Sequence, residues 1–249
     1  MNTPDCIADG GLQSPKLTCH TCRLRDLCLP IGLTPSEITR LDVLVNRHQR
    51  MRARQHLFRA GTPLEFLYAI RAGTYKVYAI SADGTETVQG FYVGGEILGM
   101  DAISSGRYLS NAVALEDGEV CEIPFSRLED LVREIPQLQR QLHRLLSQEI
   151  VEDRQMMQLL ATLHADQRVT AFLLNLSLRR ARLGFSPTEL HLKMSREDIA
   201  HFLGLTLETV SRALGRLQNE GFIRVERRRI TLEQIEALTH TLPLHSCGH

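Results

Sequence analysis

Three cysteines fall within a ten-residue stretch, Cys19-His20-Thr21-Cys22 followed by Cys28, a C-x2-C-x5-C array. A fourth, Cys121, stands far downstream in the alternating segment Val120-Cys121-Glu122-Ile123. Thiolates are soft donors, and four of them satisfy either a tetrahedral zinc or the four irons of a [4Fe-4S] cluster. Zinc modules commonly arrange their ligands as two close pairs, so three neighbours joined by one remote partner lean toward iron and sulphur. Taken alone, Cys121 reads more readily as a buried structural thiol than as a ligand. Cys6 and Cys247 stand apart near the termini and read as incidental. Six cysteines in 249 residues without a secretion signal point to metal or redox chemistry rather than to disulfides.

A second constellation suits nucleic acid. Ser195-Arg196-Glu197-Asp198 opens a helix carrying Ile199, Ala200, Phe202 and Leu203 that stops at Gly204, and Thr206 caps another containing Val210, Leu214 and Leu217. Helix, glycine turn and helix form the helix-turn-helix layout, in which the N-terminal half of the second helix enters the major groove. Glu208, Ser211 and Arg212 then face base edges: arginine pairs with guanine O6 and N7, glutamate accepts from cytosine N4, and serine suits several edges. The 29 basic residues equal the 29 acidic ones, so attraction to DNA must be local. Arg196, Arg212, Arg216, Arg224, Arg227, Arg228 and Arg229 supply it in the last fifth of the chain. Glu208 and Arg212 also have the spacing of a surface ion pair, worth only about 0.3–0.5 kcal/mol. The layout and the basic wing together favour DNA readout.

These groups need a scaffold, and the sequence outlines one of α+β class. Residues 1–18 lack periodicity and read as a mobile arm. Thr34-Pro35-Ser36-Glu37 has the residues of a capping box and predicts a helix to about Arg47. From Gln55 to Glu122, short runs rich in Val, Ile, Tyr and Phe alternate with glycine turns, predicting a small antiparallel β-barrel or jelly roll. Pro136 opens a long helix to about His164. Its residues Gln139, His143, Leu146, Ile150, Asp153, Met157 and Leu160 recur at spacings of four and three, the seam of paired helices. Leu138, Leu142, Leu145 and Leu159 form another apolar face for the chain's own barrel, which leaves the seam for a second copy. Asp153 in that seam places like charges together across a two-fold axis, opposing association next to Ile150.

A helix from Arg168 to Leu183, with Asp166 as its cap and Gly184 beyond it, leads to an alternating run at Leu190, Leu192 and Met194. After the helix-turn-helix come a basic hairpin around Glu226 to Arg229 and an amphipathic segment, Leu232 to Leu242. The expected organisation is therefore arm 1–18, cluster-binding segment and β-barrel sensor 19–135, dimerisation helix 136–164, and winged helix-turn-helix 165–249. No run approaches the roughly 20 apolar residues of a membrane span, and a cytoplasmic location is expected.

The cysteine array with Cys121, the segment Asp153-Arg154-Gln155-Met156-Met157, and Leu205-Thr206-Leu207-Glu208-Thr209-Val210-Ser211-Arg212 together closely resemble the FNR-type anaerobic regulators of the cyclic-AMP receptor protein superfamily. The resemblance runs from about Cys19 to Leu238. It implies a cyclic-nucleotide-binding-like jelly roll and an oxygen-labile [4Fe-4S] cluster on Cys19, Cys22, Cys28 and Cys121. It also implies that loss of the cluster, or its conversion to [2Fe-2S], weakens the homodimer. Glu208, Ser211 and Arg212 would read a palindrome of TTGAT type on double-stranded DNA, with contact to RNA polymerase. The superfamily's nucleotide receptors carry an Arg-Ser or Arg-Thr phosphate clamp, and this chain has Leu109-Ser110-Asn111 there, so no cyclic nucleotide is expected. Arg23 and Arg25 depart from the family's smaller or neutral residues and are expected to stabilise a net-negative cluster. The rival readings are a nucleotide-responsive regulator, an iron–sulphur electron carrier and a structural zinc protein; no catalytic constellation accompanies them.

Overall fold

The computed structural model describes residues 18–45 and 47–242. Cys6, Cys247 and nearly all of the expected arm lie outside the described residues. Helix α1 (Pro35–Leu44) begins as its sequence requires, with the Glu37 N–H donating to the Thr34 hydroxyl and the Glu37 carboxylate accepting the Thr34 N–H at 2.7 Å. It ends earlier than expected, because Arg47–Met51 is already a strand, β1. Its partner is β8 (Gly118–Pro124), with Arg47 opposite Glu122 and Met51 opposite Gly118. Pairing with so distant a segment leaves no local signature.

Between them run β2 (His56–Phe58), β3 (Phe66–Ala72), β4 (Tyr75–Ile80), β5 (Glu86–Tyr92), β6 (Ile97–Leu98) and β7 (Asn111–Ala114). They form two four-stranded antiparallel sheets, ordered β1-β8-β3-β6 and β2-β7-β4-β5. The sheets do not close into one barrel; they make a jelly-roll sandwich. Met51, Phe58, Tyr68, Ile70, Tyr75, Leu98, Tyr108 and Val120 fill the space between them. Side chains alternate along β3, so Leu67 and Ala69 face the other way. There they join Ile123, Ile38 and Leu41 of α1, and Leu128, Leu131 and Leu138 from the helices that follow.

Those helices are α2 (Phe125–Glu134) and the long α3 (Pro136–Thr162), which Pro136 restarts at its first position. Next come α4 (Ala165–Arg182), β9 (Glu189–His191), α5 (Arg196–Leu203), α6 (Leu207–Asn219), β10 (Ile223–Glu226), β11 (Arg229–Leu232) and α7 (Ile235–His240), with a small sheet ordered β10-β11-β9. His164, not Asp166, is the N-cap of α4; its N–H reaches the Gln167 side chain at 3.2 Å, while Asp166 is held by Arg216.

The C-terminal helices lean on the β2-β7-β4-β5 sheet. Phe91 of β5 meets Phe172 and Phe202 edge-on, at ring separations of 6.0 and 5.3 Å. Arg179 donates to the Phe91 carbonyl at 2.6 Å and to Glu96. Among the described residues, no helix is long and apolar enough to cross a membrane.

Candidate cysteine centre and nucleic-acid interface

The segment from Thr18 to Pro30 is too short and polar to bury itself, so α1 and the sheets position it. The Cys19 N–H donates to Asp42 on α1, the Arg25 N–H donates to the Cys22 carbonyl at 3.3 Å, and Arg25–Leu27 forms one tight turn. That turn lies against Gly95, whose φ is +89° and where a Cβ would stand 2.9 Å from that of Leu27. A side chain there would be strained and would push the segment away.

The result is one pocket lined by Cys19, Cys22, Cys28 and Cys121 together. Leu24, Leu29, Leu41, Val45, Ile70 and Ile123 supply its apolar walls, and Ala69, paired with Cys121 across β3 and β8, leaves room beside it. Thr18, Arg25, Pro30, His48 and Arg71 complete the lining; Arg25 reaches the pocket, whereas Arg23 is exposed outside it. All four cysteines are free and half-buried.

Burial pushes the Cys28 thiol up to about 11 and that of Cys121 up to about 12, and charge on neighbouring cysteines adds to both. Cys19 is raised further, by burial and then by Asp42. As free side chains they are protonated at neutral pH, and a bound cation is what would make them thiolates. Among the described residues, no three His, Cys, Asp or Glu side chains converge tightly enough to hold a metal ion as they stand.

The helix-turn-helix is built as its residues demand. Ser195 caps α5 through a box with Asp198, Gly204 ends it in the left-handed region at φ +62°, and Thr206 caps α6 by accepting the Thr209 N–H at 3.2 Å. Val210, Ala213, Leu214 and Leu217 bury one face of α6 and turn Glu208 and Arg212 outward. Arg212 lies 3.9 Å from Glu208, a loose and exposed pair of little energetic weight. Ser211 accepts from Arg196 of α5 at 3.4 Å. A cleft of about 230 Å³ beside it is rimmed by Arg196, Arg227 and Arg228. Other arginines of the basic patch also have partners within the chain: Arg216 with Asp166, Arg224 with Glu233 at 3.3 Å, and Arg228 with the Lys193 carbonyl at 3.2 Å.

On α3, Ile150 and Met157 are 53% and 62% exposed, His143 and Asp153 are exposed, and Leu146 and Leu160 are half-buried. Leu138 is buried and Leu142, Leu145 and Leu159 are half-buried. The stripe expected to face a second copy is thus largely open in the single chain. Sequence reasoning passed over Asp42, His48, Arg71 and Gln141. Only Gln141 carried a local signal, as a polar residue within an apolar helix face.

Residues 48–134 match the family described as the cyclic nucleotide-binding domain, and residues 167–241 match the Crp-like helix-turn-helix domain. The chain is 46% identical, over 232 residues, to the fumarate and nitrate reduction regulatory proteins of Salmonella typhimurium and Escherichia coli K12, covering 93% of this chain and 92% of each relative. Among solved structures, FixK2 from Bradyrhizobium japonicum shares 30% identity at a TM-score of 0.71, covering 78% of this chain and 96% of its own. The c-di-GMP responsive regulator CLP from Xanthomonas campestris, 23% identical, shares the fold at a TM-score of 0.64 over 80% of this chain and 99% of its own. With a two-sheet N-terminal domain, a capped helix-turn-helix and relatives of this identity over nearly the full length, the chain belongs to the CRP/FNR family of transcription regulators, alongside the fumarate and nitrate reduction regulatory proteins.

Proposed function

We propose that the protein is a cytoplasmic, oxygen-responsive regulator of anaerobic gene expression. It acts as a homodimer on palindromic TTGAT-type sites in double-stranded DNA, with a [4Fe-4S] cluster held by Cys19, Cys22, Cys28 and Cys121, and it engages RNA polymerase there. The observation that carries this reading is the single pocket lined by all four cysteines, three from one loop and one from β8. Its donor set is all sulphur and its walls are apolar, which fits an iron–sulphur cluster. When bound, the cluster supplies an iron centre that oxygen destroys or converts to [2Fe-2S].

The chain's own residues link that pocket to the DNA. Ligation by all four cysteines ties the loop to β8. The buried Gln141 side chain donates to the Cys28 carbonyl at 3.2 Å, so α3 follows the loop. His143, Leu146, Ile150, Asp153, Met157 and Leu160 of α3 meet their counterparts in a second copy, and pairing sets two α6 helices about 34 Å apart, one turn of B-DNA. Glu208, Ser211 and Arg212 then face bases, with Arg196, Arg227 and Arg228 near phosphates. The functional partition is arm 1–18, sensor 19–135, dimerisation helix 136–164 and DNA-binding domain 165–249.

A cyclic nucleotide has no part in this scheme. Ser110 donates to Asp101 at 3.2 Å, and Asn111 accepts from the Ala60 N–H and donates to the Tyr78 carbonyl. These groups are engaged internally, and the Asp101 carboxylate would repel a phosphate.

Purification under nitrogen tests the reading, with iron, acid-labile sulphide, visible spectrum, sedimentation mass and binding to a TTGAT duplex followed before and after air. A brown, dimeric, DNA-binding preparation that becomes monomeric and releases the duplex in air is expected. Acid-labile sulphide separates a cluster from zinc. A colourless, iron-free preparation that fully occupies the duplex overturns the proposal.

A further inference from the structure

β1 and β8 pair so that His48 lies directly opposite Cys121. Cross-strand partners share a sheet face, and here the two side chains touch: His48 Nδ1 stands 3.4 Å from the Cys121 sulphur. His48 also lines the cysteine pocket, on its exposed side. Cys121's other cross-strand neighbour, Ala69, has no donor to offer. The nearby Arg71 guanidinium points to Glu119 at 3.3 Å. His20, the histidine inside the cysteine array, turns instead to the Thr39 hydroxyl at 3.2 Å. Strand register has thus put an imidazole that the sequence places far from any cysteine onto the most remote of the four sulphurs.

We propose that His48 is a positioning residue of the cysteine centre, its Nδ1–H donating to the Cys121 sulphur and slowing the attack of oxygen on the bound cluster. The inference rests on the cluster reading above. A thiolate carries no proton, so the ring nitrogen facing it must be the donor. Hydrogen bonds to cluster sulphurs draw electron density from the iron–sulphur bond and raise the reduction potential, which makes loss of an electron to oxygen harder. Because His48 sits on the open side of the pocket, it also orients the ligand where oxygen arrives.

The test uses full-length protein loaded under nitrogen, as wild type, His48→Leu and His48→Asn. Asparagine places its Nδ2 amide close to where the histidine Nδ1 stands and restores the donor; leucine keeps bulk without one. Two readouts are taken: the decay rate of the cluster's visible absorption in air, and the iron–sulphur(Cys) stretching bands in resonance Raman. His48→Leu is expected to decay about tenfold faster, with those bands shifted upward, and His48→Asn to stay near wild type. A loaded wild type whose leucine variant decays and vibrates identically overturns the role of His48 alone. A wild type without iron overturns the cluster reading and this inference with it.

Discussion

Gln141 reaches from the second turn of the long helix α3 to the backbone carbonyl of Cys28, donating its Nε2 proton across 3.2 Å with only 3% of its surface exposed. One hydrogen bond therefore joins the cysteine loop to the helix whose exposed stripe is the proposed dimer face. Gln141→Leu removes the donor and strands a carbonyl in an apolar place, a cost of about 1–3 kcal/mol. The variant is expected to take up iron normally under nitrogen yet dimerise about tenfold more weakly, or about 1.4 kcal/mol, by sedimentation equilibrium. Lowered melting with unchanged dimer affinity would reduce Gln141 to a packing role.

A second junction lies between the N-terminal sheet and the helix-turn-helix. Lys76 of β4 sits 2.7 Å from Glu86 and 2.8 Å from Asp198, which also belongs to the capping box of α5. Burial pushes the Asp198 carboxyl up, but hydrogen bonds from Lys76 and Ser195 outweigh it and hold the group below its ordinary 3.8. Burial likewise opposes the Lys76 charge, and its two carboxylate partners outweigh it and raise the ammonium above its ordinary 10.5. A depressed acid adds stability that is present above 3.8 and lost as pH falls through its folded value; a raised base adds stability that is lost only as pH climbs through its own. The junction therefore holds across the neutral range. Lys76→Met is expected to lower unfolding free energy by about 2 kcal/mol at neutral pH, less than for a fully buried pair. The deficit should shrink in urea titrations run below the ordinary carboxylate range; a pH-independent deficit would mean lost packing, not lost charge.

What the sequence made legible is what local chemistry decides. Ser195, Gly204 and Thr206 specify the ends of α5 and α6 by caps and a left-handed turn, and those boundaries are where their residues put them. The apolar period of α3 and the Pro136 start were equally plain. Strand β1 was not, because Arg47, Gln49 and Arg50 show no apolar alternation and only pairing with β8 makes them a strand. The placement of His48 beside Cys121 was hidden for the same reason. Arg216 looked like a phosphate ligand in the sequence, and Asp166, fifty positions earlier, claims it. Whether the strands close into one barrel or stack as two sheets was also beyond reach, since the orders β1-β8-β3-β6 and β2-β7-β4-β5 depend on contacts between distant strands.

Glu149 on α3 gives a pH signature. Burial, and after it the charges of Asp153 and Asp101, push its carboxyl up to about 7, while the Tyr92 hydroxyl donates to it at 3.4 Å. A raised acid favours the folded chain fully below its ordinary 4.5, and that contribution is lost as pH rises through about 7. Glu149→Gln keeps the shape and cannot ionise. In thermal melts of the air-exposed protein it is expected to be more stable than wild type by about 1–2 kcal/mol near pH 8, with no gain near pH 5. Equal gains at both values would assign the effect to something other than this carboxyl.

Asp153 stands three positions from Ile150 and four from Met157, among the exposed apolar residues of α3. Burying Ile150 and Met157 against a second copy gains free energy in proportion to their apolar area, about 1.5–3 kcal/mol for each side chain fully covered. Two Asp153 carboxylates meeting across a two-fold axis oppose that gain by up to about 4 kcal/mol at 4 Å and an effective dielectric near 20. Partial desolvation by its neighbours already raises the Asp153 carboxyl although the side chain is exposed in the single chain, so pairing adds to an existing cost. These magnitudes are close enough for one charge to decide whether the chain pairs in air. Asp153→Ala is expected to shift the air-exposed protein from monomer toward dimer by at least about tenfold in dissociation constant. Ile150→Ala should weaken the dimer formed under nitrogen, and high salt should partly mimic Asp153→Ala by screening. Sedimentation of the two variants decides it: no change in air for Asp153→Ala would make that residue a solvated flank and leave the barrier to pairing elsewhere on α3.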